Sequence, residues 1–334
     1  MKPRIFDSNS LKFFRKYFVI SQTKLFFLGV FFFLTPNISF SAQTECLTCH
    51  IDKELTTTKE GKTISLYVDQ NKIDTSVHTG LSCVDCHSEI KPFTDMHDIP
   101  LTAAKCQNCH ETEYNIYKES IHQKPVKNKI SDTASCSSCH GTHDILKSDN
   151  LDSKTNHMNL PKTCGVCHSN IAKMKKIGMK NMDPIKSYEL SIHKQKLNEN
   201  PSLKVATCNE CHGTHDIYLQ TDPRSRFNKL NISETCGKCH IKENEEYRQS
   251  IHHEAVLFGY FTSPSCTDCH GEHSILYPGD KNALTNKAAS SSEVCAQCHA
   301  NKTLMSRFGL NAQRFETYSK TYHGMATLKG SKDA

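Results

Sequence analysis

The 334-residue sequence contains no tryptophan and only 8% aromatic residues, and its apolar fraction is 37% even with 18 cysteines counted in it. Ordinary globular domains are about 45–50% apolar. Length alone would allow two such domains, but there is too little apolar material for a conventional core in either. Long hydrophobic runs are also missing. The one apolar stretch, residues 25–34 (LFFLGVFFFL), is ten residues long, against the roughly 20 needed to span about 30 Å of hydrocarbon. Ten residues are too few for a membrane-spanning helix, and an uncleaved N-terminal anchor is the alternative to a cleaved segment. Lys12, Arg15, Lys16 and Lys24 precede that stretch, and Pro36, Ser39, Ser41 and Ala42 follow it. This is the layout of a secretory signal peptide over residues 1–41, cut near Ser41 or Ala42. Strong charge is absent as well. The net charge is +6; residues 1–41 hold six basic residues and one acidic, so the mature chain 42–334 is left with 6 − 5 = +1. No basic surface for nucleic acid follows from that balance.

What the sequence has in excess is cysteine and histidine, at one spacing. Cys46 and Cys49 precede His50, and Cys83 and Cys86 precede His87. The same arrangement recurs at Cys106, Cys109 and His110, at Cys136, Cys139 and His140, and at Cys164, Cys167 and His168. It continues at Cys208, Cys211 and His212, Cys236, Cys239 and His240, Cys266, Cys269 and His270, and finally Cys295, Cys298 and His299. These nine C-x-x-C-H motifs consume all 18 cysteines, which leaves none for disulfides. C-x-x-C-H is the attachment signature of c-type haem: the thiols add to the two vinyl groups, and the histidine supplies one axial nitrogen to iron. Structural zinc would need paired motifs giving four ligands per metal and does not explain a histidine after every pair. The expected cofactor is nine covalently attached haems c. Two propionates on each would make the holoprotein clearly acidic.

The motifs belong to a longer repeat. After every other motif comes Tyr-x-x-Ser-x-His, as Tyr117 to His122, Tyr188 to His193 and Tyr247 to His252. A last copy runs Tyr318 to Thr321-Tyr-His323, and a weaker first one is Ser76-Val-His78 with Ile73 in the tyrosine position. The following motif carries a trailing histidine: Gly141-Thr-His143, Gly213-Thr-His215 and Gly271-Glu-His273. In the first repeat Ser88 replaces the glycine and His97, ten residues on, takes the role. The units are residues 46–105, 106–163, 164–235 and 236–294, with a half repeat at 295–334. They yield nine further histidines: His78, His97, His122, His143, His193, His215, His252, His273 and His323. Nine irons need nine distal ligands, so bis-histidine ligation is expected throughout. His157 and His253 are left over as surface residues, though His253 could ligate in place of His252.

Local structure is expected to be sparse. Residues 116–123, 186–195, 242–254 and 313–324 read as short helices ending near a distal histidine, with tyrosine and histidine on nearby faces and the tyrosine ring against porphyrin. Residues 55–58 and 63–68, flanking Lys59-Glu-Gly-Lys62, read as one N-terminal β-hairpin. The Ser-, Asn-, Asp- and Pro-rich stretches 147–162, 220–234 and 278–293 read as loops between units. His212 and His215 are too close in sequence to grip opposite faces of one iron, so His215 should reach a neighbouring haem, the turn being eased by Gly213. The fold class is mainly α and irregular, with stacked haems as the core, and the chain without haem should be disordered.

This pattern resembles the multihaem c-type cytochromes of bacterial respiration over nearly all of residues 46–323. The resemblance implies a periplasmic electron carrier that passes single electrons along its haems and is not an enzyme. It does not by itself give a donor or an acceptor; the expected partners are other redox proteins: a quinol-oxidising membrane cytochrome, periplasmic or outer-membrane cytochromes, or a terminal reductase. Membrane association would arise only through them. A multihaem reductase of nitrite, hydroxylamine or tetrathionate is the second class. In such reductases one motif often has lysine for the proximal histidine, and none of the nine motifs here departs in that way.

Overall fold

The computed structural model describes residues 42–59, 61–90, 103–124, 133–179, 183–286, 294–329 and 331. The signal segment and His97 lie outside them. Residues 41–334 form one compact unit, built of short helices joined by turns and one two-stranded antiparallel sheet. Among the described residues no helix is long and apolar enough to cross a membrane.

The hairpin is tighter than the sequence suggests. Strands Thr56–Lys59 and Lys62–Ser65 pair with Thr56 opposite Ser65 and Lys59 opposite Lys62. The connection is therefore two residues long, and Gly61 there has φ +76°, the left-handed conformation that such turns demand.

The helices around the distal histidines also depart from expectation. Three of the four expected helices are each two helices, broken just before Ser-x-His or Thr-x-His. Pro184–Glu189 gives way to Ile192–Glu199, Ile241–Arg248 to Ile251–Leu257, and Gln313–Ser319 to Tyr322–Leu328. The serine or threonine is the cause. Ser191 accepts a hydrogen bond from the Lys194 N–H, Ser250 from the His253 N–H and Thr321 from the Gly324 N–H. Each is an N-cap, in extended backbone, that starts a new helix. The histidine thus opens the second helix instead of closing the first. In the first two repeats His78 and His122 sit in turns after Gln70–Thr75 and Glu111–Tyr117.

The protein core is small. The buried apolar side chains among the described residues are Met174, Leu197, Val205, Ile232, Val256, Ala283 and Met305. Many large apolar residues are exposed, Val166 at 78% and Ile251 at 71% among them. The Ser- and Asn-rich loops are ordered by their own side chains. Asn156 donates to the Ser148 carbonyl and Asn159 to those of Leu151 and Ser153. One repeat on, Asn228 donates to Gln220 and Asn231 to Pro223 and Ser225.

Candidate haem sites

Motif geometry follows position within the repeat. The second motif of each full unit forms its own short helix, Cys83–Cys86, Cys136–His140, Cys208–His212 or Cys266–His270, and each begins with a capping box. Before Cys208, the Thr207 N–H and Oγ1 both donate to a Glu210 oxygen at 2.8 Å. Before Cys266, Ser265 makes the same pair of bonds to Asp268. The signal S/T-C-x-(D/E/S)-C-H was present in the sequence, and the spacing of the cysteines distracted from it. Thr207→Val is expected to lower holoprotein stability by about 1 kcal/mol, the usual scale of a lost cap, without changing haem content. Denaturant unfolding checks this, and an unchanged midpoint would show that the box contributes nothing.

The glycine after three of these motifs, Gly141, Gly213 or Gly271, makes the reversal that carries the chain to the trailing histidine. Gly213 has φ +97°, and a Cβ there would stand 2.5 Å from Asp216 Oδ1, so no other residue fits. The repeat tyrosines have a task beyond ring packing. The Tyr117, Tyr188 and Tyr247 hydroxyls donate to the carbonyls of Ala134, Ala206 and Pro264, each two residues ahead of the next motif's first cysteine. In the last copy Tyr318 instead meets Thr327 Oγ1 at 3.3 Å.

Thiols of successive motifs are neighbours along the chain. Cys46 hydrogen-bonds Cys83, Cys106 bonds Cys136, Cys164 bonds Cys208 and Cys236 bonds Cys266. These contacts join the two motifs of each unit. Between units, Cys86 feels the charge of Cys106 and Cys109, Cys139 that of Cys164 and Cys167, Cys211 that of Cys239, and Cys269 that of Cys295 and Cys298, in each case after burial as the larger cause of a raised thiol pKa. The nine motifs therefore lie in sequence order in space. In the pair of Cys236 and Cys266 the shared hydrogen bond pushes the Cys266 thiol down to about 7 and the Cys236 thiol up.

The histidines come together in pairs. His78 faces His110 with ring centres 6.0 Å apart, His122 faces His168 at 6.4 Å, His193 faces His240 at 6.3 Å and His252 faces His299 at 6.2 Å. In the other class His143 faces His87 at 6.3 Å, His215 faces His140 at 5.9 Å and His273 faces His212 at 5.9 Å. Every pair joins one motif histidine to one histidine of the second set. The reach is longer than to the nearest motif. A Ser-x-His histidine skips forward over one motif, and a trailing histidine skips back over one. His215, expected on a neighbouring haem, passes motif five to reach motif four. Backbone bonds tie the same segments together: the N–H groups of Val77, Ile121 and Ile192 donate to the carbonyls of Ile145, Ile217 and Ile275, all at 2.8 Å.

This arrangement fits haem iron. With about 2 Å per metal–imidazole bond and about 1.1 Å from ring nitrogen to ring centre, two imidazoles on opposite sides of one iron stand about 6 Å apart. Burial lowers the pKa of His122, His140, His143, His168, His193, His252 and His273, favouring the neutral form that iron requires, and His212 is pushed down to about 4, by burial first and His273 second. His50 Nδ1 lies 2.7 Å from the Leu66 carbonyl. A carbonyl only accepts, so Nδ1 carries the proton and Nε2 is left for metal. All 18 cysteines are free thiols, and the small core leaves large apolar surfaces for porphyrin to cover. The two spare histidines are better packed than surface residues. His253 is buried against the Tyr247 ring at 5.1 Å, turned away from the facing pair of His252 and His299. His157 is half-buried, 3.4 Å from Thr207 Oγ1. His323 is exposed and faces no motif histidine among the described residues.

Three family models match in succession: cytochrome c3 over residues 75–157, cytochrome c7 and related cytochrome c over 150–241, and the doubled CXXCH motif over 259–304. The multiheme cytochrome MtrA of Shewanella baltica is 24% identical over 230 residues, which is 63% of this chain and 56% of that protein. The chain thus spans little more than half the length of that relative. No solved structure matches. With nine C-x-x-C-H motifs and their facing histidines, these matches make the chain a multihaem c-type cytochrome.

Proposed function

We propose that the chain is a periplasmic carrier that holds nine covalent haems and passes single electrons along them between other redox proteins. One observation carries this reading: the attachment cysteines of motifs one to nine are neighbours in unbroken order. Haems anchored at such sites sit edge to edge, and electrons cross between them without bond making. Seven irons are held by the seven facing histidine pairs, and His97 is a further distal ligand. A bis-histidine iron has no free position for substrate, which favours a carrier over a reductase. The partners are a quinol-oxidising membrane cytochrome on one side and a periplasmic or outer-membrane cytochrome or terminal reductase on the other.

The intact mass of exported protein should exceed that of the processed polypeptide by nine haems, with cleavage near Ser41 or Ala42. Seven haems or fewer would sink the proposal. In a stepwise redox titration all haems should equilibrate with one another within a single protein.

A further inference from the structure

We infer that two electronic classes of haem alternate along motifs three to seven, with crossed ligand planes at His110, His168 and His240 and parallel ones at His140 and His212, and that Ser191 is a positioning residue for the crossed class. The inference rests on the reading that these motifs bear bis-histidine haems.

The angle between facing rings follows position in the repeat. Where a Ser-x-His histidine meets its motif histidine, the planes stand 70° apart for His78 and His110, 66° for His122 and His168, and 65° for His193 and His240. Where a trailing histidine does so, they stand 20° apart for His215 and His140 and 15° for His273 and His212. The pairs on either side of this run are intermediate, 45° for His143 and His87 and 54° for His252 and His299. At His87 the motif helix has already stopped at Cys86, whereas His140 and His212 each close theirs.

These angles matter to iron. Each axial imidazole carries a filled π orbital perpendicular to its ring, which raises the iron d orbital it overlaps. Two parallel rings raise the same d orbital, so the ferric hole occupies one orbital of fixed direction. Two crossed rings raise two d orbitals together, and the hole is shared between them. The first kind of iron gives a rhombic low-spin spectrum, the second a strongly anisotropic one with a single very large g value. An electron passing from motif three to motif seven changes class at every step.

Contacts behind the histidines hold the rings, as outer partners of metal-bound imidazoles do. The backbone bonds from Val77 to Ile145, Ile121 to Ile217 and Ile192 to Ile275 each join the residue before a Ser-x-His histidine to the residue two after a trailing one, so a single bond ties down both classes. Asp144 and Asp216 close the trailing turns by accepting the Thr142 and Thr214 N–H groups around His143 and His215. Ser191, 1% exposed, donates to the Tyr188 carbonyl at 2.7 Å and accepts the Lys194 N–H at 3.1 Å. Its hydroxyl thus fixes His193 in the first turn of a helix.

The test uses the full-chain holoprotein, after its mass has been shown to include nine haems. Electron paramagnetic resonance of the ferric protein should show both kinds of low-spin signal. The Cys236→Ser, Cys239→Ser variant should lose a strongly anisotropic signal, and the Cys208→Ser, Cys211→Ser variant a rhombic one. In Ser191→Ala the signal of the motif-seven haem should move towards the rhombic form with haem count and low spin unchanged, and Ser191→Thr, with the residue that the last repeat has at Thr321, should restore it. Should the cysteine variants fail to accumulate, the unaltered protein and the two Ser191 variants are decisive. A single kind of low-spin signal overturns the two classes and leaves the haem count standing. Loss of the opposite signal from either cysteine variant overturns the assignment to repeat position. A Ser191→Ala spectrum identical to that of the unaltered protein overturns the role of the serine. High-spin iron at motifs three to seven overturns the bis-histidine reading and this inference with it.

Discussion

Chain made without haem attachment is expected to show no cooperative thermal transition. Few of its described apolar side chains are buried, seven in all, and each contributes about 1.5–3 kcal/mol. Ordering the backbone costs about 1–2 kcal/mol per residue, over a mature chain of nearly 300. The helices do not make up the difference. The longest described run nine residues, below the roughly 12–15 at which isolated helices become even marginal. The hydrogen bonds between segments are also of a kind that needs haem in place. Ile192 bonds Ile275 and Tyr188 bonds Ala206, and the segments they join carry histidines that face motif histidines across the space of a haem. Far-ultraviolet circular dichroism of the haem-free chain should therefore resemble a coil at all temperatures, and limited proteolysis should cut it throughout. The holoprotein should resist both. A sigmoidal melt of the haem-free chain would show that the polypeptide has a core of its own and would refute the haem-built fold.

Much of this architecture was legible because haem attachment writes a rigid signature. The nine motifs, the two histidine classes and the repeat all follow from residue identity. Three things did not, each for a physical reason. The helix break before Ser-x-His was hidden because tyrosine, serine and histidine at these spacings fit one continuous helix equally well; the difference lies in Ser191 and Ser250 capping a helix instead of sitting inside one. The order in the Asn-rich loops was obscured by a composition that usually means irregular chain. Yet Asn156 and Asn228 both stand eight residues before a first cysteine, Cys164 and Cys236, a repeat that could have been read. The pairing of distal with motif histidines could not have been. Counting gives a supply of ligands and a demand for them, but which ligand meets which iron is a matter of topology. A count of nine against nine suggests closure at every iron, whereas the described residues show seven facing pairs and an exposed His323.

Replacing His215 by Ala is expected to open one iron, and that iron is the one at Cys136–His140, not the one in the motif that His215 trails. His215 and His140 are stacked at 5.9 Å with planes 20° apart, while His212, three residues before His215, faces His273. The variant should keep nine haems, gain high-spin ferric signal from one more haem than the unaltered protein, and bind one further equivalent of carbon monoxide when reduced. In a Cys136→Ser, Cys139→Ser background the same substitution should add nothing, because the haem it opens is gone. Two controls separate ligation from packing. His157→Ala removes a 3.4 Å contact with Thr207 Oγ1 and a 3.9 Å approach to Glu210 and should leave the spectrum unchanged. His253→Ala removes a buried ring from Tyr247; it should cost about 1–2 kcal/mol in stability, as expected of a buried side chain, and leave every haem at its original spin state. If His215→Ala behaved like His157→Ala, the facing rings would be packing neighbours and not the two ends of an iron axis. If it opened the Cys164–His168 haem instead, trailing histidines would bind the adjacent motif, and the skip-one register would be wrong.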